Sequence, residues 1–395
     1  MFEAQKLSRR AFLYRAGLVG GAVTFGSVLS ACSSDEEGGS GASAGATGAS
    51  TAEIQSRLDA ASGSIRTLMW EGYEFPDAFK SISDRVEVDA AFMAANEDEI
   101  NKAGTYDIGC GINGIYPALY SAGVMQPLDV NMLPNLSKIF DSPSFFTSFG
   151  TPQFTVFDDT PYGMPYVWAS QGVSYDANAV TTPPTSIEDF LDPSYKGKLG
   201  IGDDGNSVII QIARLLGFGG DRPAFLTQEE FDQVFVKLEE FKGQSKGIIA
   251  NPYGEYAGAY ARGEIIAAFP DWAPTTVAVK KAGIDARVAF TPQSFTWIDT
   301  LFIASDVEPT DAMYAWLNHA IDPETQYAVG NELVLAVVNA DAQKKLVDQG
   351  GGWAPYGDID QLTVNAPVVE WPPVESDEFV VYSEWLRRWE EFKAS

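Results

Sequence analysis

Histidine and cysteine are almost absent from this sequence. Its 395 residues contain one histidine, His319, and two cysteines, Cys32 and Cys110. Few residues are therefore available to form a catalytic base, a transition-metal site or a disulfide framework. We expect no catalytic residue, no metal and no cofactor. A hydrolase that works with two carboxylates stays open as an alternative, because any acidic protein supplies candidate pairs.

Positive charge is scarce as well. Lysine and arginine total 26 against 54 aspartates and glutamates, which gives a formal net charge of -28 at pH 7. A surface this acidic repels nucleic acid and anionic lipid and concentrates cations. The charge therefore argues against nucleic acid as a partner, but it does not identify a ligand.

The apolar run near the N-terminus is too short to cross a membrane. It extends from Ala16 to Leu29, about 14 residues, whereas a bilayer core of roughly 30 Å needs about 20. A twin-arginine export pattern, Ser8 to Leu13, precedes the run, and Leu-Ser-Ala-Cys ends it at Cys32. The pattern is typical of a lipoprotein signal. We predict cleavage after residue 31, lipidation of Cys32, and a location on the periplasmic or extracellular face of the cytoplasmic membrane.

The residues after Cys32 are predicted to connect the lipid to a folded α/β protein. Residues 32–61 begin with a small, polar stretch that has no periodicity, and we interpret them as a flexible tether. Short apolar strands then alternate with helices to the end of the chain, as in parallel α/β proteins. Capping-box patterns at Thr185 with Glu188 and at Thr227 with Glu230 predict two helix starts.

We predict two lobes rather than one. A chain of 395 residues is long for a single hydrophobic core. The predicted first lobe comprises residues 62–170 and 298–339, and the second comprises 171–297 and 340–395. We also expect a monomer.

The segment Ser294 to Ser305, SFTWIDTLFIAS, is a candidate binding strand. Trp297 and Asp299 are two residues apart in an apolar, β-branched run, so in a strand both side chains leave the same face. An aromatic ring and a carboxylate together suit an ammonium group that has been removed from water. The alternative is a core tryptophan beside a solvated or capping aspartate.

Several motifs follow one another along the chain. They are LMWEGYEFPDAF at 68–79, YDIG at 106–109, YGMPYVWASQGV at 162–173, SIEDFLDPSYKGKLGIGDD at 186–204, NPYGEYAGAYARGEI at 251–265, DWAPTTVAVKKAG at 271–283 and TWIDTLFIAS at 296–305. In this order they resemble the periplasmic polyamine-binding proteins of spermidine and putrescine ABC transporters. The resemblance runs from about Ile65 to the C-terminus. It implies a two-lobed, type II-like venus-flytrap fold with several hinge crossings, and an ABC permease as partner.

The resemblance also implies a set of ligand-binding residues. Trp70 and Tyr73 resemble the first aromatic wall of the family, and Trp272 and Trp297 resemble the second and third. Two of the amine-binding carboxylates correspond to Asp204 and Asp299. Ser207 is the remaining candidate, at a position where the family has a further acid. In that arrangement aromatic rings flank the methylene chain and each carboxylate binds one ammonium group.

Other departures from the family pattern bear on the ligand. Ile112 and Gly114 align with a serine and a tyrosine, Leu335 replaces a ligand-contacting tyrosine, and Pro372 replaces a glutamine. A triamine bound by two carboxylates would keep one buried charge unpaired. The expected ligand is therefore a small organic cation such as a diamine. A quaternary ammonium, an amino-acid derivative or an anion on the same fold stays open, as does a sensor that presents its loaded form to a receptor.

Overall fold

A computed structural model describes residues 49–73, 76–93, 97–250 and 252–395. The predicted signal peptide, Cys32 and the first part of the predicted tether lie outside these described residues. Most of the described chain alternates between strands and helices, as the sequence predicts.

The strands form one large mixed sheet and one small hairpin. Their bounds are β1 Gly63–Met69, β2 Val86–Phe92, β3 Ile108–Ile112, β4 Val156–Phe157, β5 Thr160–Pro161, β6 Met164–Asp176, β7 Leu199–Gly202, β8 Ser245–Ile249, β9 Ala267–Asp271, β10 Ala286–Ala289, β11 Phe295–Ile303 and β12 Ala336–Val337. The large sheet has the order β2-β1-β3-β11-β6-β9-β7-β8, and β10 and β12 also pair with β6.

The two halves of the sheet have the same topology. In the first half β2, β1 and β3 are parallel and β11 pairs antiparallel with β3. In the second half β8, β7 and β9 are parallel and β6 pairs antiparallel with β9. Strands β6 and β11 pair with each other between the halves. Each half therefore places the carboxyl ends of its parallel strands beside an antiparallel strand that crosses between the halves.

Helices and 3-10 turns connect the strands. The α-helices are Thr51–Ala60, Lys80–Ser83, Asp98–Asn101, Tyr116–Ala122, Gly205–Leu216, Gln228–Gln244, Pro252–Ala261, Ala273–Lys281, Asp311–Ala320, Pro323–Leu333, Ala340–Asp348, Ile359–Asn365 and Tyr382–Ala394. The 3-10 helices are Val130–Met132, Pro134–Lys138, Gln153–Thr155, Ile187–Leu191, Pro193–Tyr195 and Gly351–Tyr356.

The buried apolar side chains separate into two main clusters. The first packs around β1, β3 and the N-terminal part of β6, and the second packs around β7, β9 and the helix Gly205–Leu216. Cys110 lies in the first cluster and is fully buried. Ala342, Leu346 and Tyr356 also belong to the first cluster. The first cluster thus continues past residue 339.

Two local predictions are corrected. Residues 51–60, predicted to be part of the tether, form a helix whose first turn is closed by a capping box between Ser50 and Glu53. Ile54 and Leu58, four residues apart, bury one face of this helix in the first cluster. The predicted capping box at Thr185 is formed one residue later, by Ser186 with Asp189, and heads a 3-10 helix.

The capping box of Thr227 with Glu230 is confirmed at the start of the helix Gln228–Gln244. Strands β4 and β5 form the small hairpin, with Asp158 and Asp159 in its turn at positive φ. The aromatic run after the turn belongs to β6 and is buried in the middle of the large sheet.

Candidate functional site

The predicted site residues lie where parallel strands end. Trp70 directly follows β1, Trp272 directly follows β9, and Asp204 follows β7 by two residues. Trp297 and Asp299 lie in β11, where Asp299 is opposite Ile112, the last residue of β3. In open α/β sheets, ligands bind beyond the carboxyl ends of the parallel strands, so the topology places these residues in a suitable location.

Tyr73 and Asp299 contact each other directly. The Tyr73 hydroxyl group donates a hydrogen bond to Asp299 Oδ2, and both side chains are buried. Tyr73 is held by Tyr166, whose ring meets it edge-on at a centroid distance of 5.6 Å and whose hydroxyl donates a 2.6 Å bond to the Tyr73 carbonyl oxygen. Tyr73 and one predicted carboxylate therefore form a single preorganised unit.

Asp299 is electrostatically uncompensated in this structure. Its side chain is 3% exposed, and its Oδ1 atom has no hydrogen-bond partner among the described residues. Burial raises the pKa of Asp299 to about 7, against the opposing effect of the Tyr73 hydrogen bond. A buried carboxylate with one free oxygen is suited to bind a cationic group that brings its own hydrogen-bond donors.

Trp272 and Trp297 form an aromatic pair. Their ring centroids are 5.5 Å apart and the rings are inclined by 55°. Trp272 directly precedes the helix Ala273–Lys281, and Trp297 is almost fully buried in β11. The neighbouring Asp271 orients this turn, because its Oδ1 atom accepts a 2.7 Å hydrogen bond from the Trp272 backbone nitrogen. Aromatic faces of this kind attract cations.

Asp204 and Ser207 interact at the start of a helix. Asp204 is the N-cap of the helix Gly205–Leu216, and its Oδ1 atom accepts a 3.2 Å hydrogen bond from the Ser207 backbone nitrogen. Ser207 itself is buried. Asp204 consequently has a structural role besides the predicted one. An asparagine would keep that cap, because both residue types serve as N-caps.

Trp371 occupies space that the family pattern assigns to a side chain at residue 114. A Cβ atom added to Gly114 would lie 1.6 Å from Cγ of the Trp371 ring. Gly114 follows Asn113, whose Oδ1 accepts a 3.2 Å hydrogen bond from the backbone nitrogen of Ile298, between Trp297 and Asp299. Trp371 is not among the predicted site residues, although its neighbour Pro372 bears on the resemblance.

A polar contact connects the last helix to the first half of the sheet. The Tyr382 hydroxyl group donates a 2.7 Å hydrogen bond to Glu97 Oε1, and it accepts a 3.4 Å bond from Asn206 Nδ2. The Tyr382 ring stacks on Trp371 at a centroid distance of 5.8 Å. Asn206 follows the predicted residue Asp204 by two positions, so this contact lies near that part of the candidate site. The sequence does not predict a role for Glu97, Trp371 or Tyr382.

A cavity of about 330 Å³ lies away from these residues. Its lining includes His319, whose Nε2 atom is 3.0 Å from both Ser81 Oγ and Thr325 Oγ1. Burial lowers the pKa of His319. None of the predicted ligand-binding residues lines this cavity, so it is separate from the candidate site.

The described part of the chain was also surveyed for metal sites and membrane spans. It contains no group of three or more histidine, cysteine, aspartate or glutamate side chains placed to hold a metal ion. None of its helices combines the length and apolarity that a membrane crossing requires.

The chain is similar to known binding proteins. Residues 106–350 match the family model described as bacterial extracellular solute-binding protein. The spermidine/putrescine-binding periplasmic protein of Escherichia coli is 23% identical over 247 residues, which cover 62% of this chain and 67% of that protein. The putrescine-binding periplasmic protein of the same organism is 21% identical over 305 residues, covering 69% and 77% of the two chains.

Solved structures share the fold. The spermidine/putrescine substrate-binding protein of Streptococcus pneumoniae has a TM-score of 0.66 at 18% identity, and the alignment covers 84% of this chain and 97% of that one. A Treponema pallidum lipoprotein has a TM-score of 0.68 at 15% identity, covering 84% and 100% of the chains. The predicted two-lobed α/β periplasmic-binding-protein fold is confirmed. Because the family model matches more than half of the sequence, the chain belongs to the family of bacterial extracellular solute-binding proteins.

Proposed function

We propose that this protein is the extracytoplasmic binding subunit of an ABC importer and that it captures a polyamine-like organic cation for delivery to a permease. The observation that carries the proposal is Asp299. Its carboxyl group is buried beside Tyr73, with one oxygen that lacks a hydrogen-bond partner among the described residues. An ammonium group supplies both the charge and the donors that this oxygen lacks.

The aromatic residues support the same ligand class. Trp272 and Trp297 present π faces close to the strand that carries Asp299, and aromatic faces attract cations as well as methylene groups. Asp204 at the start of its helix is the second proposed charge partner. Two carboxylates match a diamine, and the names of the curated relatives, which bind spermidine and putrescine, support this class.

The proposal includes location and mode of action. Cys32 anchors the mature chain in the membrane, the two lobes close on the ligand, and the protein binds its ligand without converting it. The proposed lobes are residues 62–170 with 298–339 and residues 171–297 with 340–395. Replacement of Cys32 by serine should release the protein from membranes or block its maturation, as followed by fractionation. A processed Cys32→Ser variant that stayed membrane-bound would contradict the anchor.

Asp299→Asn tests the cation site. Asparagine keeps the size of the side chain and removes its charge, so calorimetry with putrescine should show a loss of about 3–5 kcal/mol in binding free energy. Glu71→Gln is the matched control, because Glu71 is exposed beside Trp70 and its charge is solvated. We expect this control to bind putrescine like the wild type.

A ligand screen separates the alternatives. Thermal-shift measurements over polyamines, quaternary amines, basic amino acids and anions should give the largest shift with a polyamine, and mass spectrometry should recover the bound compound unchanged. Putrescine binding that survived Asp299→Asn, an anion as the sole ligand, or a chemically altered compound would each disprove the proposed function.

A further inference from the structure

The last helix holds the loop that carries Asp204. Asp203 Oδ1 accepts a 2.7 Å hydrogen bond from Trp389 Nε1, and Asp203 Oδ2 pairs with Lys393 Nζ at 2.9 Å. A Cβ atom added to Gly205 would lie 2.6 Å from Cγ of the Trp389 ring, so the helix also packs directly on this loop. Asp204 lies between two residues that contact the last helix, and its backbone position therefore depends on that helix.

The same helix reaches the first half of the sheet through Tyr382. The Tyr382 hydroxyl group donates a 2.7 Å hydrogen bond to Oε1 of Glu97, which lies between β2 and β3. The same hydroxyl group accepts a 3.4 Å bond from Nδ2 of Asn206, two residues after Asp204. Burial raises the pKa of Tyr382 and the charge of Glu97 raises it further, so the hydroxyl group remains a donor at neutral pH. One hydroxyl group therefore connects the Asp204 loop to the first half.

Trp371 places a second contact at the end of β3. Its ring belongs to the second apolar cluster and stacks on Tyr382 at a centroid distance of 5.8 Å. A Cβ atom added to Gly114 would lie 1.6 Å from Cγ of this ring, which therefore covers the backbone just after β3. Ile112, the last residue of β3, is opposite Asp299 in the sheet. The two stacked rings thus extend to the strand end beside Asp299.

Asn113 continues this connection into β11. Its side-chain nitrogen donates a hydrogen bond to the carbonyl oxygen of Val369, in the segment before the last helix. Its Oδ1 atom accepts a 3.2 Å bond from the backbone nitrogen of Ile298, the residue before Asp299. A continuous set of contacts therefore runs from the last helix, which holds the Asp204 loop, to the strand that carries Asp299.

We propose that Tyr382 is a positioning residue that fixes the separation of Asp204 and Asp299 and thereby selects the length of the bound diamine. This inference rests on the proposed function and deepens it. Asp299 lies in the fourth strand of the first half and Asp204 follows β7 in the second half, so their separation changes when the halves move relative to each other. The hydrogen bond from Tyr382 to Glu97 opposes that movement. At a fixed separation, a diamine that is too short or too long leaves one charge unpaired.

Diamines of three lengths test the inference: diaminopropane, putrescine and cadaverine. Calorimetry on the wild type should show one of them bound about tenfold more tightly than the other two, the loss expected when a charge-assisted hydrogen bond is not made. Tyr382→Phe keeps the ring that stacks on Trp371 and removes the hydroxyl group. In this variant the preference should fall to about threefold or less, and the best-bound diamine should dissociate faster in stopped-flow measurements.

Further variants separate positioning from general damage to the fold. Tyr120 donates a 3.1 Å bond to Asp158, and both residues lie in the proposed first lobe, so Tyr120→Phe should keep the wild-type preference. Glu97→Gln keeps a side-chain oxygen that accepts from Tyr382 and should keep most of the preference. Glu97→Ala removes this acceptor and should lose the preference as Tyr382→Phe does. Glu97 is only half-buried, so Glu97→Ala provides the test even if Tyr382→Phe does not fold.

The outcomes distinguish this inference from the proposed function. A wild-type preference in folded Tyr382→Phe or in Glu97→Ala, or equal affinity of the wild type for all three diamines, would disprove the role of Tyr382 and leave the cation site standing. If the wild type bound no diamine and no polyamine, the proposed function would be wrong as well. A reduced preference in Tyr382→Phe and Glu97→Ala, with the wild-type preference in Tyr120→Phe, would support Tyr382 as the residue that sets ligand length.

Discussion

At the scale of single residues, the hydrogen bond from Tyr73 to Asp299 sets the charge state of the candidate site. This bond lowers the pKa of Asp299 and so opposes the effect of burial, which raises that pKa to about 7. Tyr73→Phe should raise the pKa above that value, as followed by NMR titration of the carboxyl group. Putrescine affinity at pH 7 should fall several-fold and recover as pH is raised. If Tyr73→Phe changed neither the putrescine affinity nor its pH dependence, Tyr73 would not be part of the binding site.

Gly114 and Trp371 offer a second test at this scale. Gly114→Ala should destabilise the protein by about 1–3 kcal/mol, because the new methyl group overlaps the Trp371 ring. In Gly114→Ala with Trp371→Ala the overlap is gone, so the loss should be smaller than the sum of the single losses. Urea unfolding of the four proteins measures this coupling. If the losses of unfolding free energy in the two single variants simply added up in the double variant, the two residues would not be in contact.

The residues of the site differ in how far the sequence reveals them. Trp297 and Asp299 are predicted by their spacing in an apolar strand, and Tyr73 by resemblance. The burial of Glu99, which is not a predicted site residue, gives no such signal either, since it lies among other acids in a short polar helix whose sequence resembles a solvated surface. Trp371 is in an irregular, proline-rich stretch. Trp371 packs against Gly114, which lies 257 positions earlier in the sequence. Local sequence patterns do not predict a contact between residues so far apart.

At the scale of secondary-structure elements, the helix Thr51–Ala60 is the clearest correction. Leu58 is 2% exposed in the first cluster, whereas Arg57 forms an exposed ion pair with Asp311 at 2.6 Å. Leu58→Ala should cost about 2–5 kcal/mol of unfolding free energy, and the control Arg57→Ala less than about 1 kcal/mol. Guanidinium unfolding measures both. If Leu58→Ala left the unfolding free energy unchanged, this helix would not contribute to the core.

Element boundaries follow from the strength of the local signal. Strand β2 has a local signal, because Val86, Val88 and Ala90 alternate with the acids Glu87 and Asp89. The helix at residues 51–60 is missed because small polar residues precede it, and only its capping box and two apolar positions indicate a helix. The pairing of β6 with β11 and β9 is not predicted by local patterns, because both partner strands come from distant parts of the chain.

At the scale of the whole molecule, buried acids make stability depend on pH. Burial raises the pKa of Glu99 to about 9 and the pKa values of Asp271 and Asp299 to about 7, above their ordinary values of 4.5 and 3.8. The folded state therefore holds protons that the unfolded state has released, and unfolding free energy falls as pH rises from about 4 towards 9.

We expect the ligand-free protein to melt at a lower temperature at pH 8.5 than at pH 6. In the variant with Glu99→Gln, Asp271→Asn and Asp299→Asn, the melting temperature should depend less on pH. The amide side chains bind no such protons in the folded or the unfolded state. The net negative charge also lowers stability as pH rises. Thermal unfolding should therefore compare the pH dependence of the melting temperature between the two proteins. Equal slopes in both proteins would assign the effect to surface charge alone.

The whole-molecule fold was predictable as an α/β alternation, but its symmetry was not. No internal sequence period marks the two halves, yet both have the same strand order and the same antiparallel fourth strand. This order depends on strand pairing between residues far apart in the chain. Periodicity within a short window indicates the type of an element and not its neighbours in the sheet.

The placement of β11 has a consequence for synthesis of the chain. The first three strands are complete by residue 112, but the fourth strand of their half begins at Phe295. A nascent chain that has grown to residue 250 thus exposes an unpaired edge at β3, where a partner strand from another molecule can pair. This half of the sheet can therefore be completed only after residues 295–303 have been synthesised.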